Sequence, residues 1–278
     1  MKRKTDVARI SALQRKTETD FSFEAGEEPR LVQGLARGLA VLRAFRPGEL
    51  SLSNAEIAER TDLAKPTVSR LTQTLTSLGY LSYVPRLGRY SLGPGVLALC
   101  HALLAGMPNR IAARPILQDL ADFSRLPASL GMREQLDMLY IETARHALAS
   151  PARFDLGARI PVEFTSMGRA YLYGLPETDR KALLDVIRLR VGKSRWPALR
   201  AALDRSFESI TKRGFCLSLG EWRADVIGAG APVVTADGTV LAINCGGPPF
   251  EVSVDRLENE IGPRLAYAAS QIATGGPA

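Results

Sequence analysis

Apolar and polar positions recur along this chain in two different rhythms, and the change of rhythm divides it. From Gln33 to Phe45 the residues Leu35, Leu39, Leu42 and Phe45 return every three or four positions, which marks one face of a helix, and Pro47-Gly48 ends the run. Ile57 and Ala58 then form a short apolar face in a helix predicted over about 53–60. Val68, Leu71, Leu75 and Leu78 form a longer one over about 65–78. Ser53 with Glu56 three residues on is a capping box, so the first of these two helices starts there. Pro66 starts the second, because first-turn N–H groups have no intrahelical partner and a missing one does no harm. Thr61-Asp62-Leu63 leaves room only for a tight turn, which predicts a helix-turn-helix. Gly79 closes the third helix, and "YLSYV" and "RYSLG" around "PRLG" predict a hairpin with Arg86 and Arg89 at or beside its tip. Three helices and a basic hairpin predict a winged helix-turn-helix.

Beyond it, "GPGVLALCHALLAG" is an apolar helix between glycines, read as a linker or a dimer contact. A helix near 110–124 follows, then "ASLGMREQLDMLYIETA" as two strands around a polar turn. "TSMGRAYLYGL", "ETDRKALLDVIRLR" and "WPALRAALDRSFESITKRG" read as helices, the last ended by Gly214. "APVVTADGTVLAINCGG" is a hairpin turning at Asp237-Gly238, and a final helix is predicted over about 254–272. Strand pairs flanked by helices predict an α+β domain with an antiparallel sheet. The expected organisation is a flexible tail over 1–30, the winged helix-turn-helix over 31–93, a linker helix over 94–108 and the α+β domain over 109–278.

Composition narrows the chemistry. With 278 residues, 46% of them hydrophobic, the chain can bury a core in each of two domains. The net charge of +7 matters less than its placement: from Leu63 to Gln118 there is no Asp or Glu, while Lys65, Arg70, Arg86, Arg89, Arg110 and Arg114 fall there. A surface free of carboxylates suits a polyanion, since each acid would repel a phosphate. Cys100, Cys216 and Cys245 are an odd number without metal-type spacing, and His101 and His146 are the only histidines, so neither a disulfide framework, a metal nor a cofactor is expected. The apolar runs fall short of the roughly 18–20 residues that cross a bilayer, and the basic N-terminus lacks a signal-peptide core. The expectation is a cytoplasmic protein without a membrane partner.

On the third predicted helix, the apolar face leaves Ser69, Arg70 and Gln73 on the opposite side, where Arg reads guanine and Gln reads adenine in a major groove. Lys65 and Thr67, near its start, are placed for phosphate or base-edge contacts, and Arg86 and Arg89 for phosphate or the minor groove. "GLARGLAVLRAF", the helix-turn-helix segment and "GRYSLGPGVLAL" resemble the DNA-binding region of the IclR family of bacterial transcriptional regulators. "GARIPVEFTSMGRAYL", "ITKRGFCLSLGEWRADVIGAGAPVVTADGTVLAINCGG" and the last helix resemble its C-terminal domain in the same order, over about 33–272 in all. The resemblance implies a GAF-like effector domain, a homodimer or homotetramer, a palindromic double-stranded operator and a small organic acid as effector. Carried over by position, the effector site comprises Ser166 and Met167, Ser218 and Gly228, and Asn244 and Gly246.

The resemblance implies an Asp and a Cys in the second segment and serines on the last strand of relatives that bind small oxo-acids, where this chain has Ser218 and Gly228, and Asn244 and Gly246; the smaller side chains leave room for a larger, aromatic acid. Ser166 reads either as part of an anion site at a helix start or as an ordinary N-cap. Two rival readings stand beside the regulator. One is a thiol hydrolase built on Cys245, which lacks a nearby histidine base in the sequence; the other is a nonspecific architectural DNA binder. Glu221 and Trp222 either border the pocket or pack.

Overall fold

The computed structural model describes residues 32–147 and 154–275, so the tail expected over 1–30 lies outside the described residues. Its contacts divide the chain between Met107 and Pro108 into two units. In the first, α1 (Gln33–Arg43), α2 (Asn54–Thr61) and α3 (Lys65–Ser77) precede a two-stranded hairpin of β1 (Leu81–Val84) and β2 (Arg89–Leu92), and α4 (Pro94–Ala105) follows. Ser53 caps α2 through a complete capping box with Glu56, and Pro66 lies in the first turn of α3. The turn between α2 and α3 passes through Asp62 in the left-handed conformation, φ 56°. Gly79 at φ 79° ends α3: its N–H and that of Tyr80 donate to Thr76 O and Leu75 O, the bonds of a Schellman motif.

Val41, Leu52, Ile57, Ala58, Val68, Leu75 and Leu81 form the core of this unit. Two expectations of burial change. Leu35 and Leu39 are exposed, and α1 instead buries Gly38 and Val41, because Gly38 lets the helix approach Leu71 of α3. Leu78 is 63% exposed because it is the C-cap, where the chain already turns away from the core. No residue of α4 is buried, and Leu97, Leu99 and Leu103 stand exposed along it.

The second unit is built on a six-stranded antiparallel sheet in the order β5-β4-β3-β8-β7-β6. Its strands are β3 (Ala128–Glu134), β4 (Asp137–Ala144), β5 (Arg159–Pro161), β6 (Cys216–Leu219), β7 (Ile227–Val234) and β8 (Val240–Gly247). β5 and β6, the two edge strands, have no counterpart among the predicted elements. The helices α5 (Pro108–Ser124), α6 (Ser166–Gly174), α7 (Glu177–Val191) and α8 (Trp196–Arg213) occupy the predicted places, and Gly214 ends α8 in the left-handed region. Met138, Tyr140, Ile160, Cys216 and Ala242 of the sheet bury against Met167, Ala170, Leu183, Ile187 and Leu203 of α6, α7 and α8.

The last helix is not continuous. A short turn, α9 (Val254–Arg256), passes through a π-helical turn (Leu257–Ile261) into α10 (Gly262–Ala273). Pro263 lacks the N–H that would bond Asn259 O, so the α-helical ladder cannot run through. Gly262 sits there under Phe215, whose ring lies 2.2 Å from where a Cβ would be.

Candidate effector pocket and nucleic-acid interface

α3 presents the face its spacing predicts. Val68, Thr72 and Leu75 are buried, whereas Lys65, Ser69, Arg70 and Gln73 are exposed and Thr67 is half-buried. Thr72 Oγ1 has Val68 O at 3.0 Å, Ser69 O at 3.1 Å and Asn54 Oδ1 at 3.2 Å within reach of its one proton, the last of these a contact between α3 and α2. Among the described residues, Lys65, Arg70 and Arg86 make no ion pair, which leaves their charges available to a polyanion. Arg86 stands on the 3₁₀ turn Pro85–Leu87 at the tip of the hairpin. Arg89, expected to face DNA beside it, is committed elsewhere: it pairs with Glu56 at 2.8 Å and donates to Ser51 O at 3.0 Å and Ser51 Oγ at 3.1 Å. Proximity to the first helix of the motif, which sequence position does not reveal, is the reason.

In the second unit a cavity of about 320 Å³ opens over the sheet between β3, β4, β6, β7, β8 and the start of α6, within the range of small-ligand sites. Its floor follows from strand register. Ser218, Gly228 and Gly246 lie in one row across β6, β7 and β8, and Gly230, Asn244 and Ser129 lie in the next across β7, β8 and β3. Paired residues share a face, so both rows point the same way. Gly230 is required for the approach of α6, since a Cβ would lie 2.3 Å from Ser166 O. A Cβ on Gly246 would lie 2.4 Å from Ile227 O.

Tyr140, Phe154, Ile160, Trp222 and Phe250 supply apolar and aromatic walls, with the Phe154 and Trp222 rings 5.1 Å apart. Asp225 and Glu251 also line it, while none of its described lining residues is Lys, Arg or His. A carboxylate held here would therefore rest on dipoles and hydrogen-bond donors instead of an ion pair. Thr165 caps α6 by accepting from Gly168 N at 3.2 Å, which makes Ser166 the first helical residue and removes its N-cap reading. The first-turn N–H groups of a helix have no partner inside it, and they favour an anion. Asn244 Nδ2 donates to Tyr140 Oη at 3.1 Å. Burial pushes the Tyr140 phenol up to about 12, against the Asn244 hydrogen bond, so it stays protonated and can donate into the cavity.

Ser218 Oγ lies 2.9 Å from both Phe164 O and Glu221 Oε2, so its one proton is directed to the protein. Glu221 in turn pairs with Arg169 at 3.0 Å, and Arg169 is 2% exposed. Burial acts to raise the Glu221 carboxyl, but the Arg169 charge and the Ser218 and backbone hydrogen bonds outweigh it and hold it below its ordinary value. This pair joins α6 to the segment carrying Trp222, two walls of the cavity. Trp222 thus borders the cavity, and Glu221 stands behind it.

Of the residues expected at the site, Ser166, Ser218, Gly228, Asn244 and Gly246 line the cavity. Met167 does not: it is fully buried in the core, its sulfur packed over Gly131, because helical rotation turns it a hundred degrees from Ser166. Tyr140, Phe154 and Phe250 had no signal in the sequence, since each reads there as an ordinary core or loop aromatic. Cys245 faces the other side of the sheet, fully buried, and its thiol donates to Ser124 Oγ at 3.3 Å. Burial pushes that thiol up to about 11, the opposite of what a nucleophile needs, which removes the hydrolase reading. Among the described residues no group of His, Cys, Asp or Glu is gathered to hold a metal, and no single helix is long and apolar enough to cross a membrane.

Comparison with known proteins accounts for both units. The family model for the IclR helix-turn-helix domain matches residues 34–85, and that for the bacterial transcriptional regulator IclR C-terminal domain matches residues 101–274. The chain is 30% identical over 245 residues, 87% of each protein, to the HTH-type transcriptional regulator TsaQ1/TsaQ2 of Comamonas testosteroni. It is 32% identical over 249 residues to the Pca regulon regulatory protein of Pseudomonas putida, covering 88% of this chain and 84% of that one. The crystal structure of an IclR family transcriptional regulator from Brucella abortus superposes with a TM-score of 0.79 at 40% identity, over 93% of this chain and 98% of that one. A winged helix-turn-helix followed by a sheet domain with a ligand-sized cavity, matched in order along nearly the whole chain, makes this protein a member of the IclR family of bacterial transcriptional regulators.

Proposed function

We propose that the protein is a homo-oligomeric, ligand-responsive regulator that binds a palindromic operator and changes its affinity for it when a small aromatic carboxylic acid fills the cavity. The observation that carries the ligand class is the cavity's make-up. Aromatic walls from Tyr140, Phe154 and Trp222 surround a polar end formed by Ser166 at the start of α6, Tyr140 and Asn244, with no basic side chain among the described lining residues. A flat ring carrying one carboxylate matches that pattern, whereas a small oxo-acid would leave the walls uncovered. Ser218, Gly228 and Gly246 serve as floor, and Met167 supports α6 from the core.

Lys65, Thr67, Ser69, Arg70 and Gln73 are the operator-facing residues of α3, and Arg86 reaches phosphate from the hairpin. The exposed leucines of α4 support self-association, since a soluble chain rarely leaves such a helix face uncovered. A two-fold oligomer reads an inverted repeat, which is the reason for a palindrome. Residues 94–108 then serve as linker between the DNA-binding domain of 31–93 and the effector domain of 109–278. Effector coupling of about 1–3 kcal/mol suffices for a 5- to 150-fold change in operator affinity. Acting on an operator puts the working protein in the cytoplasm.

The test is a thermal-shift screen with benzoate, its hydroxylated derivatives, glyoxylate and pyruvate, followed by footprinting on the DNA upstream of the gene. Stabilisation by benzoates and a footprint confined to one inverted repeat that weakens or strengthens with the same ligand are expected. Stabilisation by pyruvate or glyoxylate alone would reject the aromatic class. Protection spread along any duplex would support an architectural binder instead.

A further inference from the structure

Glu56 is asked to do two things at once. Its Oε2 accepts from Ser53 N and Ser53 Oγ, each at 2.7 Å, which completes the cap of α2. Its Oε1 accepts from Arg89 Nη2 at 3.0 Å, and the same guanidinium donates to Ser51 O and Oγ. Arg89 pairs with Val84 across the hairpin, at the end nearest the tip, whereas Leu81 and Leu92 pair at the root. The root is anchored by burial of Leu81, 2% exposed, and β2 is held at Tyr90, the residue beside Arg89, by its bridge to the buried Leu52 with hydrogen bonds of 2.8 and 2.7 Å. Beyond that bridge the hairpin has only the Val84–Arg89 pair and the 3₁₀ turn carrying Arg86, so what holds Arg89 bears on where the turn stands.

We propose that the Glu56–Arg89 pair is a positioning device for DNA binding: it fixes the hairpin tip, and with it Arg86, relative to the recognition helix α3. The path is continuous. α3 contacts α2 where Thr72 meets Asn54, α2 begins at the Ser53–Glu56 box, and the same carboxylate holds the wing through Arg89. Arg89 is thus a positioning residue and not a phosphate contact. Glu56 is ionised throughout the working range, because hydrogen bonds from the Ser53 backbone, the Ser53 side chain and Arg89 lower its carboxyl to about 2. The inference rests on the phosphate contact proposed above for Arg86.

The two accounts of Glu56 give opposite signs. If charge alone mattered, removing an acid beside the DNA-binding face would tighten binding and free Arg89 for phosphate. If the pair positions the wing, removing the acid weakens binding. Glu56→Gln separates these cleanly, because Gln at the third helical position also serves a capping box. Its single oxygen goes to Ser53, and its amide N–H₂ then confronts the Arg89 guanidinium. The probe is the duplex enriched from a random-sequence pool by the parent protein, with sonicated genomic DNA as the nonspecific control. Weaker binding, a log affinity against log salt slope flattened by about one, and a parent-like helical circular-dichroism signal are expected, with some fall in melting temperature from the lost carboxylate.

In addition, Arg86→Ala should weaken the parent but add nothing in the Glu56→Gln background, the non-additivity of a shared function. Equal or tighter binding by Glu56→Gln, or an equal effect of Arg86→Ala in both backgrounds, overturns the inference. Arg86→Ala without effect on the parent overturns the wing contact itself, and with it any role of the pair in aiming it.

Discussion

Replacing Tyr140 by Phe removes a single oxygen from the cavity wall and keeps the ring that fills the core. Tyr140 is 6% exposed, and its hydroxyl accepts from Asn244 Nδ2 at 3.1 Å, so its own proton remains for an acceptor in the cavity. In the ligand-free protein the variant loses one neutral hydrogen bond at the edge of a solvent-accessible space, about 0.5–1.5 kcal/mol. For a domain of this size that lowers the melting temperature by roughly 1–6 °C. With a ligand carboxylate as acceptor, the lost bond is charge-assisted and larger, about 1.5–3 kcal/mol, a 10- to 150-fold loss of affinity. Since burial pushes the phenol up to about 12, the parent's donor is present across the working range, and affinity should not vary through Tyr140 between about pH 6 and 9. Calorimetry with the benzoate that gives the largest thermal shift, run beside melting curves, measures both effects. A lower melting temperature with unchanged affinity would refute the donor role and leave Tyr140 as wall alone.

Arg70→Ala and Gln73→Ala should each weaken specific operator binding by about 1–3 kcal/mol without loss of helicity, measured by mobility shift and circular dichroism; parent-like binding by both would misassign the recognition face. Acid should unfold the DNA-binding unit through Glu49 and Glu56. The Arg60 hydrogen bond lowers the former to about 2 and the Ser53 bonds lower the latter to about 2, both from 4.5. Groups with lowered folded values stabilise above the unfolded value, and that contribution fades as pH falls from about 4.5 towards 2. Urea titrations of the parent should therefore show stability dropping through that window, and a Glu49→Gln, Glu56→Gln double variant should show a flatter acid limb. An identical limb in both would show that other carboxylates govern it.

Legible in the chain itself was whatever acts over a few residues. Ser53 and Glu56 begin a helix because their side chains meet the N–H groups of the same turn, and Pro66 begins another because its missing N–H has no helical use. Gly79 and Asp237-Gly238 mark reversals because glycine tolerates a positive φ, and both lie where expected. Strand alternation likewise placed Asn244 and Cys245 on opposite faces of β8. Matters that depend on distant neighbours were set by the packing of elements. Gly38 rather than Leu35 faces the core because Leu71 of α3 comes close; Arg89 meets Glu56, 33 positions away, and is held there. Tyr140 and Asn244, 104 positions apart, meet only because β4, β3 and β8 are neighbours in one sheet. Met167 falls into the core and Ser166 into the cavity because α6 is seated over Gly230, a contact between elements that no local pattern encodes. Local hydrogen bonds fix where elements begin and end, but the partner a side chain finds is set by how those elements pack.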